Sequence, residues 1–287
     1  MTVEPVRHSF ELPAGLSAAA AAGRRIRGDA LVPPDARQGV ILCHGFKGFA
    51  RWAFFPHLAA WLAACGLATV SFDFSGSGVG SDRETFTELD AFAANTYTSE
   101  LADLAAVERD ALARGWVRDG YGLFGHSRGG GVAVLHAGSR GPLAPRVGAL
   151  VTWAAIAAVG RWSAADRERW RAEGQLAVPN SRTGQLLRLD LTALHEAERL
   201  GGTMLDVSAA AARVGAPWLI VHGTADETVN VADARQLHTA SRGRAELLLV
   251  EGASHTFDAH HPMGAPPPAA DEAMRATTDF FLRQLAA

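Results

Sequence analysis

Cysteine is scarce in this chain: Cys43 and Cys65 are the only two among 287 residues. Two thiols cannot build the bridge framework that holds small secreted domains together, so the cytoplasm is the expected compartment. Cys43 falls in an apolar run and Cys65 on an Ala-rich helical pattern, and both are expected to be buried free thiols. Long hydrophobic runs are missing too. The longest, residues 149–159, is too short to span a bilayer. The N-terminus has no cationic head followed by an apolar stretch, so no secretory signal is expected. Lys and Arg never form a block, and 27 of them against 30 Asp and Glu give a formal net charge of −3. That balance argues against a nucleic acid or an anionic membrane as partner.

What is present describes an ordinary globular chain, 48% hydrophobic and 20% charged, with room for one large core carrying an insert. Short apolar segments alternate with helical patterns, the signature of a mostly parallel sheet covered on both faces. Residues 6–12 and 25–32 read as N-terminal antiparallel strands. Strands follow at 39–43, 67–73, 121–124, 147–153, 218–222 and 246–250. Helices are expected at 54–64, 96–114, 130–137, 231–240 and 271–285, with a stiff proline-rich loop at 265–268. From about 160 to 213 the pattern changes. A charged, Trp-bearing helix gives way to apolar stretches at 175–179 and 185–189 around a turn at 180–184, which reads as a small hairpin between helices. The expected organisation is a core of residues 1–159 and 214–287, with 160–213 inserted as a lid.

The most informative stretch is Gly125-His126-Ser127-Arg128-Gly129, between an apolar strand and an Ala/Val-rich helix. A serine on so sharp a strand-to-helix turn is held in a strained conformation with its hydroxyl exposed. Only small residues at 125 and 129 allow strand and helix to approach that closely. The helix start puts the Arg128 amide where an oxyanion would form. A serine hydroxyl needs a base, and the base an orienting acid, both on later loops at strand C-termini. Asp226 in His222-Gly223-Thr224-Ala225-Asp226 is the candidate acid, with helix capping as its rival role and Glu227 as its competitor. His255, just past the final strand, is the candidate base; His260 and His261 compete but are less well placed. Asp258, His260 and His261 match no metal-ligand spacing and read as a solvated loop, so neither metal nor cofactor is expected.

The second oxyanion donor is expected from His44-Gly45-Phe46-Lys47-Gly48, with the Phe46 amide facing the pocket and its ring either walling the acyl site or filling core. His44 and His126 read as packed, hydrogen-bonded histidines. Lys47 and Arg128 flank the site, where they could bind a substrate carboxylate or, more simply, hold loops together. The run Gly76-Ser77-Gly78-Val79-Gly80 lacks the dinucleotide-binding spacing and is expected to be a flexible loop. Trp162, Trp170, Leu187 and Leu189 of the insert are candidate substrate-binding residues, with packing of lid to body as the alternative.

Together, His44-Gly45-Phe46, Asp73-Phe74-Ser75-Gly76-Ser77-Gly78, the elbow, His222-Gly223-Thr224-Ala225-Asp226 and Ser254-His255 resemble the α/β-hydrolase superfamily, from about residue 39 to the C-terminus. Within it the chain looks most like bacterial serine carboxylesterases of the cinnamoyl/feruloyl esterase and dienelactone-hydrolase-like groups. That resemblance implies an α/β-hydrolase fold: a mostly parallel central sheet, helices on both faces, and a small inserted lid. It also implies Ser127 as nucleophile, His255 as base, Asp226 as acid, and the Phe46 and Arg128 amides as oxyanion hole. Dienelactone hydrolases proper use a cysteine nucleophile, from which Ser127 departs. The expected partner is a small-molecule ester, with a homodimer left open. A thioesterase or a small serine peptidase shares the same chemistry. A hydrolase fold used only for binding is the contrasting class, and it usually loses one of the three residues.

Overall fold

The computed structural model describes residues 4–140, 146–180 and 183–285. Strand β1 (Val6–Pro13), the short helix α1 (Ser17–Ala21) and β2 (Arg25–Val32) open the chain, and β1 pairs antiparallel with β2. The alternation read from the sequence follows. It runs β3 (Gly39–Cys43), α2 (Phe54–Ala64), β4 (Ala68–Asp73), α3 (Leu89–Ala93), α4 (Tyr97–Ala113), β5 (Tyr121–His126), α5 (Arg128–Ala137) and β6 (Val147–Trp153). Between β6 and β9 come α6 (Ala164–Glu173), a hairpin of β7 (Gln175–Pro179) and β8 (Leu186–Asp190), and α7 (Leu191–Leu200). The turn expected at 180–184 lies partly outside the described residues. Helix α8 (Val207–Ala211), packed on α5, leads to β9 (Trp218–Gly223), α9 (Val231–Ala240), β10 (Ala245–Val250) and α10 (Pro268–Leu285).

The main sheet has eight strands in the order β1-β2-β4-β3-β5-β6-β9-β10. From β4 to β10 all neighbours are parallel, and β2 joins β4 antiparallel. Chain order reverses between β3 and β5, and in open α/β sheets ligands bind at such a switch point, beyond the strand C-termini. The period-two alternation of β3 splits its side chains between two cores. Ile41 and Cys43 face the layer holding Leu104, Val107 and Val132, while Val40 and Leu42 face the layer holding Phe54, Leu58 and Phe281. Burial on both faces explains why the parallel strands read as continuous apolar runs.

Three expectations change. Cys43 is buried, but Cys65 is exposed, because it caps the C-terminus of α2 where the chain turns outward. The closing helix begins at Pro268, a residue whose fixed φ and missing N–H suit a first helical turn. The loop after β4 is buried instead of flexible: Ser75, Ser77 and Val79 are all inside, and Arg83, itself buried, ties it to Asp73 and Asp29.

Candidate active site

Ser127 has φ 56° and ψ −121°, a left-handed conformation that L side chains rarely adopt. Hydrogen bonds hold it there. Its N–H donates to the Trp153 carbonyl at 2.8 Å, and its carbonyl accepts from Gly131 N–H at 3.1 Å. The elbow tolerates no bulk: a Cβ on Gly129 would lie 2.2 Å from the His44 carbonyl oxygen, and one on Gly125 2.4 Å from the Gly129 oxygen. The register Cys43↔Gly125 then sets the loop after β3 beside the serine.

Three side chains from three loops form one line. Ser127 Oγ is 3.0 Å from His255 Nε2, and His255 Nδ1 is 2.8 Å from Asp226 Oδ2. Asp226 Oδ1 accepts from the amides of Thr228 and Val229, each at 2.9 Å, so the carboxylate is fixed by the start of its own loop. Burial alone would raise the Asp226 pKa. Hydrogen bonds from His222 and His255, the charge of His255 and the Val229 amide outweigh it and hold the carboxyl well below the ordinary range. The helix-capping role weighed for Asp226 falls instead to Asn230, whose side chain accepts from Ala232 N–H at the start of α9. Glu227 is exposed and stays out of the line. The same holds for the rival histidines: His260 is exposed, and His261 Nδ1 accepts from Ala53 N–H at 3.0 Å. Asp258 braces the His255 loop through Ser254, accepting from its amide at 3.2 Å and donating its own to the hydroxyl at 2.9 Å.

Four histidines stand near the nucleophile, and their bonds separate them. His44 Nδ1–H donates to the Gly45 carbonyl at 2.9 Å and Nε2 accepts from Phe74 N–H at 3.1 Å, tying two loops; burial lowers its pKa. His126 Nε2–H donates to the His255 carbonyl at 3.0 Å. Burial, reinforced by the neighbouring His255, brings the His126 pKa down to about 3. His222 was not anticipated as a site residue. Its Nε2 lies 2.8 Å from the Val229 carbonyl and 3.3 Å from Asp226 Oδ2, behind the acid. Its position one residue from the end of an apolar strand, four before Asp226, was the available signal.

The turn after β3 closes by Gly48 N–H to the Gly45 carbonyl at 3.0 Å, with Lys47 at φ 56°. That leaves the Phe46 amide without an acceptor among the described residues, and the Arg128 amide, first in α5, is equally unused. Two unused N–H groups flanking one hydroxyl can stabilise negative charge on an oxygen bound between them. The Phe46 ring is half-buried, packed on Phe92 at 5.3 Å and facing the Arg128 guanidinium. Arg128 and Lys47 both hold structure together. Arg128 Nε lies 2.8 Å from a Glu100 carboxylate oxygen, and Lys47 Nζ donates to the Pro179 carbonyl at 3.0 Å.

Trp170, Leu187 and Leu189 are buried in the core layer that also holds Phe86 and Phe92, and the Trp170 indole donates to the Leu189 carbonyl at 3.0 Å. Trp162 packs edge-on against Trp170 and borders a cavity of about 240 Å³ with Leu194 and Ala197. None of the residues lining that cavity is Ser127, His255 or Asp226. No helix among the described residues is long and apolar enough to cross a membrane.

Comparison with known proteins places the fold. No curated protein matches the chain by sequence. Among solved structures, Est1E from Butyrivibrio proteoclasticus with ferulic acid bound is similar at TM-score 0.69 and 22% identity, over 92% of this chain and 97% of that one. A monoacylglycerol lipase from Paleococcus ferrophilus gives 0.65 and 18%, over 98% and 100%. A dienelactone hydrolase from Anabaena variabilis gives 0.58 and 16%, over 98% and 99%. At these identities the likeness is one of fold. The family signature decides more, because it spans most of the chain: residues 40–270 match the alpha/beta hydrolase family, to which this protein belongs.

Proposed function

We propose that this protein is a serine hydrolase that cleaves carboxylic esters through an acyl-enzyme, with Ser127 as nucleophile, His255 as base and Asp226 as acid. The reading is carried by the continuous line Ser127 Oγ–His255–Asp226, at 3.0 and 2.8 Å. His255 Nε2 takes the hydroxyl proton as Ser127 Oγ attacks the ester carbonyl. Asp226 holds the imidazole with its proton on Nδ1 and stabilises the cation that forms. The carbonyl oxygen, now an oxyanion, sits between the Phe46 and Arg128 amides, each worth about 3 kcal/mol of barrier. Collapse expels the alcohol, which receives the proton from His255. Water attacks the acyl-enzyme by the same route and frees the acid.

The insert between β6 and β9, within residues 160–213, is the lid of this reading. The esterase and lipase neighbours favour an ester over a peptide, and the ferulic acid bound to Est1E makes an aromatic acyl group the first to try. The test is a panel of p-nitrophenyl esters of graded acyl length with a feruloyl ester, a thioester and a peptide anilide, run on wild type and Ser127→Ala. Ester turnover that disappears in Ser127→Ala, with one fluorophosphonate label on the Ser127 peptide, is the expected result. Full activity in Ser127→Ala would refute the mechanism, and preference for the thioester or anilide would move the substrate class.

A further inference from the structure

The insert is joined to the nucleophile helix through a buried chain of contacts that covering a pocket would not require. Glu196, on the inner face of α7, is 7% exposed. Its carboxylate accepts from Tyr97 N–H at 2.6 Å and Thr98 N–H at 3.2 Å, and from the Thr98 hydroxyl. These are the open amides at the start of α4, where an anion is favoured both by unfilled N–H groups and by the helix dipole. The same first turn presents the Tyr97 ring and the Glu100 carboxylate to Arg128. The guanidinium lies 3.7 Å from the Tyr97 ring centroid, and its Nε is 2.9 and 2.8 Å from the two Glu100 oxygens. Asn95 Nδ2 fixes one of those oxygens at 2.8 Å.

Arg128 Nη2 has no hydrogen-bond partner, so Glu100 and the rings of Tyr97 and Phe46 are what hold this buried side chain. A buried guanidinium follows the groups that pair with it, because leaving them strands a charge in a low-dielectric interior. Arg128 is also the residue whose amide stands beside Ser127. The other unused amide has a parallel tie: Lys47, next to Phe46, donates from Nζ to the Pro179 carbonyl of the hairpin.

We propose that the insert sets the geometry of the oxyanion hole, with Glu196 as a positioning residue acting through Tyr97 and Glu100 on Arg128. This rests on the ester-hydrolase reading above, in which the Phe46 and Arg128 amides receive the oxyanion. A donor displaced by a fraction of an ångström loses part of its transition-state stabilisation while substrate still binds. Glu196→Ala therefore lowers kcat on p-nitrophenyl acetate about tenfold with KM changed less than about twofold, and it weakens phenylboronic acid, which forms a tetrahedral adduct with Ser127, by the same factor. Glu196→Gln keeps an acceptor for Tyr97 N–H and restores most of kcat. Arg128→Met, which preserves the amide, shows the same kcat loss, and the two losses do not multiply in the double variant, because both act through one side chain.

Multiplying losses, or a Glu196→Ala variant whose KM rises while kcat and boronate affinity hold, would overturn the proposal and leave the insert a cover. Should Glu196→Ala fail to fold, an Arg128→Met variant with wild-type kcat and boronate affinity overturns it equally. Failure of the underlying reading has a separate sign: Ser127→Ala would keep turnover whatever Glu196 does.

Discussion

Ser127 combines a strained backbone with a reactive side chain, and the two can be separated by substitution. At φ 56° and ψ −121° a Cβ is unfavourable whatever it carries, so Ser127→Ala removes the hydroxyl and keeps the strain. Ser127→Gly removes both. The glycine variant is expected to be more stable than the alanine variant by about 1 kcal/mol in urea denaturation, with both inactive. Equal stabilities would mean that the elbow is relaxed. Asp226 permits a second separation, since Asp226→Asn keeps the shape of the side chain but lets the amide favour the wrong imidazole tautomer. A fall in kcat of up to about 10⁴-fold is expected, with fluorophosphonate labelling slowed in parallel. The variant also reports on stability. The folded carboxyl binds its proton less tightly than the unfolded chain does, so its stabilisation is present above the ordinary value of 3.8 and lost as pH falls through its lowered pKa. Asp226→Asn should flatten that part of the acid limb.

Elements explain why part of the site could be read and part could not. Strands β3, β5 and β9 announce themselves as short apolar runs ending at Cys43, His126 and Gly223, and burial on both faces is the physical reason. Residues at the ends of such strands are placed by local chain geometry, so Ser127, Asp226, His255 and the two amides were legible. The partners of Arg128 were not. Glu100 is 28 residues away, and Glu196 meets Tyr97 across 99. Nothing in a Glu on an amphipathic helix tells which distant helix start it will cap. Helix α3, five residues long, was missed because it has too few turns to show a period.

His126 gives the element-scale prediction, because it ties the end of β5 to the loop beyond β10. An unfolded histidine takes up a proton near 6.5, whereas folded His126 resists until about 3. A lowered folded pKa stabilises the native state fully above 6.5. That contribution is lost as pH falls toward 3, at about 1.4 kcal/mol per pH unit. His126→Asn should make the urea midpoint fall less steeply between pH 6.5 and 4. A slope identical to wild type would show that His126 does not titrate this way.

At the scale of the whole molecule, one buried charge cluster joins the antiparallel extension to the parallel sheet. Arg83 donates from Nη1 to Asp29 of β2 at 2.6 Å and from Nε to Asp73 of β4 at 2.9 Å, with both carboxylates buried. Asp73 also accepts from Ala50 N–H at 2.6 Å, so the same carboxylate pins the loop that follows Phe46 and Lys47. Arg51 reaches Asp29 at 3.2 Å from a more exposed position and cannot stand in for Arg83 at Asp73. Removing a charge from such a cluster costs more than the pair contributes, because Asp73 is left buried with the Ala50 N–H but no cation against its charge. Arg83→Met is therefore expected to lose about 3 kcal/mol, read from urea denaturation near neutral pH, and to recover part of it as the pH falls and the stranded carboxyl protonates. The double variant Asp29→Asn/Arg83→Met should lie between Arg83→Met and wild type. If Arg83→Met were as stable as wild type at neutral pH, the cluster would be an ornament on a sheet held together by its apolar strands alone.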